Sequence, residues 1–231
     1  MCVYCVILMS WFNYYSHTSQ DSYTTFMLVE KGLDNSGASR ASIVMKVGAC
    51  VGGTIIGYLS QFVGRRRAII VSALISGVMI PAWILPKTEG SLSATGFFMQ
   101  FFVQGAWGVI PIHLNELAPT AFRSSFPGVT YQVGNMISSP SAQIVNAIAE
   151  SHFKSGPGGK RVEAYGPTMG VATAIIATGI VVTTMFGPER CGKDFEDIVA
   201  GVESDSDKQV DEEKGETKSI EMREEKKQAS A

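Results

Sequence analysis

Six stretches of this 231-residue chain are each long and apolar enough to cross a bilayer: residues 3–29, 41–62, 68–86, 93–115, 128–150 and 166–187. The hydrocarbon core is about 30 Å thick, and a helix rising about 1.5 Å per residue crosses it in about 20 residues. No water inside the core can satisfy backbone N–H and C=O groups, so such stretches fold as helices. Short polar or turn-rich segments separate them: residues 30–40, the basic turn Val63 to Arg67, Pro86 to Gly90, residues 116–127 and residues 151–165. The sequence therefore predicts an all-α membrane protein, with a six-helix transmembrane bundle over residues 1–187. Residues 188–231 read differently. From residue 187 to the end there are 14 acidic and 8 basic side chains, a net of −6, against 7 acidic and 11 basic before it, a net of +4. So polar a segment buries too little apolar surface to offset its ordering entropy, and a disordered acidic tail is expected. The chain opens directly in an apolar run with no basic leader and no small-residue cleavage site, so no separate signal peptide is expected.

The first stretch is unusually polar. Asn13, His17, Asp21 and Thr25 recur every four residues, and Ser16, Ser19 and Gln20 lie among them. Residues i and i+4 share one face of a helix, so the four form a stripe. A charged His or Asp at the bilayer centre costs about 2.5–3.5 kcal/mol on insertion scales, and such residues ordinarily face a cavity or one another. Imidazole titrates near neutral pH, and a carboxylate one turn away forms a coupled pair with it. The stripe thus points to a cavity that handles protons or polar solutes. Two other readings use the same residues: polar contacts between helices and a metal site. The second lacks a further His or Cys at a matching spacing.

The fifth stretch carries Tyr131, Gln132, Asn135, Ser138, Ser139, Ser141 and Gln143, with Pro140 expected to kink it. Gln132 and Asn135 share a face, and amides there can bond carboxylate or hydroxyl oxygens. Lys46 is expected to snorkel to the membrane surface, and His113 and Glu116 to lie at the interface rather than touch a solute. Gly48-x-x-x-Gly52 and Gly53-x-x-x-Gly57 are faces on which helices can approach closely. Cys2 and Cys5 form C-x-x-C inside an apolar run, where they read as small apolar residues. The residues suggest no cofactor, no metal and no nucleic-acid partner. No nucleophile–base–orienter set accompanies His17 and Asp21, so no enzyme is expected. Basic residues divide six to six between the two sides, so charge alone does not orient the bundle. The triple-arginine turn and the tail are placed inside because so short a basic turn has no slack to cross.

The pattern Asn-x-x-Ser/Thr-His-x-Ser/Thr-Gln-Asp-x-x-x-Thr is met in full by Asn13, Ser16, His17, Ser19, Gln20, Asp21 and Thr25. It resembles the signature of fungal Jen-type lactate/pyruvate–proton symporters of the major facilitator superfamily, where it lies in the seventh of twelve helices. Gly57 to Arg67, with Gly64, Arg65 and Arg66, is similar to the superfamily's loop motif between helices 8 and 9. It departs from that motif at Gln61 and Phe62, where Asp and Arg are usual, which puts an inter-helix charge lock in question. Glu116, Pro119, Thr120 and Arg123 resemble the loop between helices 10 and 11, and Gly187-Pro188-Glu189 the end of helix 12. The resemblance covers residues 1 to about 196.

The resemblance implies the C-terminal half of a twelve-helix transporter, helices 7–12, in the plasma membrane with its tail cytosolic. It implies that the seven motif residues, with Gln132 and Asn135, handle substrate or proton. The partners implied are a small monocarboxylate, a proton, the lipid bilayer and a missing N-terminal six-helix half. An anion in such a cavity wants a cation. With no arginine inside a span, the expected sources are protonated His17 and the other half, so the chain alone is expected not to transport. The alternatives are a non-transporting or regulatory membrane fragment, and a symporter of another organic acid or sugar acid.

Overall fold

The computed structural model describes residues 2–118, 124–155 and 161–188. Pro119, Thr120 and Arg123 of the predicted loop motif, Glu189, and the predicted acidic tail beyond residue 188 lie outside the described residues. Helix α1 (Cys2–Thr25) runs on into a π-helical turn (Phe26–Glu30), in which the Lys31 N–H donates to Phe26 O at 3.2 Å. Gly32, at φ 69°, then turns the chain in a left-handed conformation. Helix α2 (Asn35–Val63) starts on Asp34, whose carboxylate accepts the Gly37 N–H at 3.1 Å. Gly64, at φ 97°, separates it from α3 (Arg65–Ile84) with no intervening loop. Helix α4 (Glu89–Leu117) is capped by Thr88, whose hydroxyl accepts the Ser91 N–H at 3.4 Å.

The fifth predicted span is two helices, α5 (Phe126–Ser138) and α6 (Ser141–Ser151). Pro140 lacks the N–H a continuous helix requires and clashes with the preceding turn, so the kink becomes a break. A two-stranded antiparallel hairpin, β1 (Phe153–Ser155) and β2 (Arg161–Glu163), occupies the segment read as a plain loop, pairing Phe153 with Glu163 and Lys154 with Val162. Helix α7 (Tyr165–Phe186) closes the described fold.

Four of these helices, α2, α3, α4 and α7, are long and apolar enough to cross a membrane. The first span misses that standard through its polar stripe, and the fifth because 13 and 11 residues each reach only about 20 Å or less. Apolar side chains crowd the outer faces: Val78 is 81% exposed, Met136 76% and Phe186 87%. Outer faces of this kind suit lipid contact and are uncommon on water-soluble proteins.

Helix α1 is central, packing on α4, α5, α6 and α7. Its inward face buries Leu8, Phe12, Tyr15 and Tyr23, and Tyr23 stacks on Trp83 of α3 with ring centroids 4.9 Å apart. The seam between α2 and α4 is a backbone contact. Gly48 and Gly52 lie directly against the main chain of Phe97 and Phe101, and Gly108 of α4 lies against Gly53. The two small-residue faces therefore differ. Gly48 and Gly52 sit in close contact, whereas a methyl at Gly57 would stand 3.5 Å from Gly108 O, an ordinary distance.

Candidate functional site

Helix α1 presents its polar residues in two directions. Toward α5, His17 Nδ1 lies 2.8 Å from Asp21 Oδ2 and His17 Nε2 lies 3.1 Å from Asn135 Oδ1. Side chains of His17 and Asp21 are 36% and 51% exposed, so the pair opens on a free face. One turn deeper, Asn13 is buried and donates to Tyr131 O at 3.4 Å. Toward α4 and α2, Ser16 Oγ accepts from Gln20 Nε2 at 3.1 Å and from Gln104 Nε2 at 3.1 Å. Lys46 Nζ donates to Gln20 Oε1. Ser16 and His17 are neighbours in the chain, as are Gln20 and Asp21, so both networks meet along one edge of α1.

The imidazole has a definite proton logic. A carboxylate oxygen only accepts, so Nδ1 donates to Asp21. The Asn135 amide oxygen facing Nε2 accepts from a second ring N–H where that nitrogen carries one. Rotating that amide by half a turn presents its NH2, and the neutral ring fits the same space. The constellation therefore holds His17 in either protonation state without moving a helix.

The other predicted residues are dispersed. Ser19 is fully buried and receives Gln100 Nε2 on both its carbonyl, at 3.1 Å, and its hydroxyl, at 3.2 Å, a packing contact between α1 and α4. Thr25 is half-buried and Gln132 exposed, and neither makes a side-chain hydrogen bond among the described residues. The stripe from Asn13 to Thr25 is thus one helical face, but only its middle, His17 and Asp21, is both open and paired.

The surroundings of three further features are now explicit. Lys46 is exposed, and its ammonium donates to Gln20 Oε1 of α1. His113 is fully buried in α4, and neither ring nitrogen has a partner among the described residues. A charge lock is present despite Gln61 and Phe62. Arg65 Nε donates to Glu116 Oε1 at 3.0 Å and its Nη1 to Ser60 Oγ at 2.6 Å, joining α2, α3 and α4 with both charges nearly buried. Arg66 Nε donates to Thr184 O at 2.9 Å at the end of α7, where a cation meets unpaired carbonyls. Arg67 is exposed.

Gln100 and Gln104 are the site neighbours that sequence reasoning missed. The two glutamines sit at i and i+4 within an otherwise apolar span, a signal that was present. Among the described residues, no group of three or more His, Cys, Asp or Glu side chains converges as metal ligands would.

Residues 2–190 match the family described as sugar (and other) transporter, and the chain belongs to that family. Its fold is that of major facilitator transporters. Similar proteins include the Saccharomyces cerevisiae carboxylic acid transporter protein homolog, 30% identical over 195 residues, which cover 83% of this chain and 32% of the relative. The xylose transporter XylE from E. coli, in a partially occluded inward-open conformation, superposes with a TM-score of 0.63 at 16% identity, over 82% of this chain and 50% of that one. The proton:xylose symporter XylE bound to 6-bromo-6-deoxy-D-glucose superposes at 0.61 with 17% identity, over 82% and 44%. The chain thus spans about a third of the curated relative and about half of the solved structures.

Proposed function

We propose that this chain forms one six-helix half of a plasma-membrane symporter that moves a small monocarboxylate, of the lactate or pyruvate kind, together with a proton. The family supports membrane transport, and the yeast relative's name supports a carboxylic acid. The observation that carries the reading is His17 held between Asp21 and Asn135 on an open face of α1. That arrangement takes up and releases one proton at a fixed point, by amide rotation alone. The first span and the paired α5 and α6 complete the bundle of six, with α5 and α6 crossing together across their break.

In this mechanism a second six-helix bundle closes over the His17 edge, and the two halves rock to expose it to either side. Proton and carboxylate enter together. The pair is neutral, which removes the cost of about 2.3 kcal/mol per charge per 100 mV that an anion alone meets against the membrane potential. Gln132, exposed on the same helix as Asn135, and Gln20 supply amide donors to the carboxylate. Arg65, Arg66 and Glu116 stand apart from this edge as a latch on the cytosolic side.

The test is uptake of labelled lactate by the full-length protein in cells lacking their own carrier. His17→Ala and Asp21→Ala each abolish proton-coupled uptake while the protein still reaches the surface. Unchanged uptake in both would return the stripe to a packing role. Xylose competes poorly if the reading holds; strong competition favours a sugar-like substrate.

A further inference from the structure

Lys46 has no obvious structural reason to be where it is. It lies 11 residues inside α2, about 16 Å along the axis from Asn35, on the side that meets α1. Arg67 is exposed at the start of α3, whereas Arg40, Arg65 and Arg66 have charge or carbonyl partners. Arg40 pairs with Glu89 at 2.8 Å and Arg65 with Glu116 at 3.0 Å. Arg66 meets the carbonyls of Thr184 and Met185. Lys46 has one neutral amide oxygen, Gln20 Oε1, and is otherwise exposed. An ammonium at membrane depth balanced only by a neutral acceptor is undercompensated, and a carboxylate is the partner that would complete it.

We propose that Lys46 is the fixed positive charge that selects an anionic carboxylate over neutral solutes, with Gln20 as its resting partner. This deepens the carboxylate-symport reading and rests on it. The carboxylate displaces Gln20 Oε1 from the ammonium. Gln20 keeps its other bond, to Ser16 Oγ at 3.1 Å, and Ser16 is in turn held by Gln104. The chain Lys46–Gln20–Ser16–Gln104 thus runs across α2, α1 and α4, and its Ser16 directly precedes His17 in α1. With His17 neutral, Lys46 and Asp21 cancel. With His17 protonated, the edge carries one surplus positive charge, matching one carboxylate. Proton and anion are thereby coupled by local charge balance.

The experiment compares Lys46→Gln, Lys46→Met and Lys46→Arg in the full-length protein with wild type. It reads lactate uptake and the competition of lactate and of its neutral isostere lactamide. Losing a charge-assisted bond predicts that Lys46→Gln and Lys46→Met raise the lactate KM about 10- to 100-fold. Both variants also lose the preference of lactate over lactamide, and Lys46→Arg restores most of both. The purified proteins provide a second readout, the thermal shift on adding lactate, which shrinks in Lys46→Gln and Lys46→Met at unchanged starting Tm. A KM within twofold of wild type with preference for lactate retained overturns the assignment of Lys46 and leaves the symport reading standing. A wild-type protein at the surface that takes up no monocarboxylate overturns the symport reading and this inference with it.

Discussion

Replacing Gly52 by alanine tests the α2–α4 seam that holds Lys46 and Gln104 beside α1. A methyl at Gly52 would lie 2.6 Å from both Cα and the carbonyl carbon of Phe101, and closer still to its oxygen. Those atoms are main chain in the middle of a helix and cannot rotate away, so the two helices must part. Overpacking of this kind costs about 1–3 kcal/mol. For a domain of this size, about 2–4 °C of Tm accompanies each kcal/mol, so Gly52→Ala should lower Tm by about 2–12 °C. Two glycines provide the controls. At Gly57 the methyl would meet its nearest atom at 3.5 Å, and at Gly77 nothing within 4 Å. Both sites gain helix propensity from alanine, so their Tm should hold or rise slightly. The assay is thermal unfolding of the purified protein in detergent, followed by tryptophan fluorescence. A Gly52→Ala protein as stable as Gly57→Ala would refute the close contact.

Other outcomes follow from the same geometry. Glu116→Gln leaves the nearly buried Arg65 charge without its partner and should cost about 3–5 kcal/mol, whereas Arg65→Met with Glu116→Leu costs less because no charge is stranded; paired thermal melts compare them. Gly64→Ala places a side chain at φ 97° and should destabilise by about 1–2 kcal/mol, unlike Gly90→Ala, where nothing lies within 4 Å; the same melts report it. His17→Gln keeps hydrogen-bonding capacity but cannot carry a proton, so any residual substrate exchange should lose its dependence on a proton gradient, as measured by counterflow with and without an ionophore.

Much of the fold was legible in the sequence. Length and apolarity mark α2, α3, α4 and α7, and bilayer physics leaves helices as their only option. Gly64 announces the turn between α2 and α3, and Pro140 marks where α5 gives way to α6. The pairing of His17 with Asp21 also follows from spacing, because residues four apart lie one above the other on any helix.

Contacts between helices were not legible in the same way. Asn135 stands 118 positions from His17, Lys46 26 from Gln20 and Glu116 51 from Arg65. No local pattern fixes which residue meets which across such separations. For Lys46 in particular, only the rotation of α2 against α1 decides that its ammonium meets Gln20. Ser19 shows the converse: it belongs to the motif by spacing, yet the approach of Gln100 from α4 draws it into the packing and away from the open edge.

By itself, then, the order of residues determined that the chain carries membrane-length apolar helices, that one span breaks at Pro140, and that one helix sets a histidine and an aspartate one turn apart. These are consequences of local geometry and of transfer between water and lipid, which any helix of this composition obeys. Only the tertiary structure decided which amide faces the imidazole, which cation faces the glutamine and which arginine is locked to a glutamate. Those choices depend on how closely glycine-lined backbones approach and at what rotation, a property of the assembled bundle.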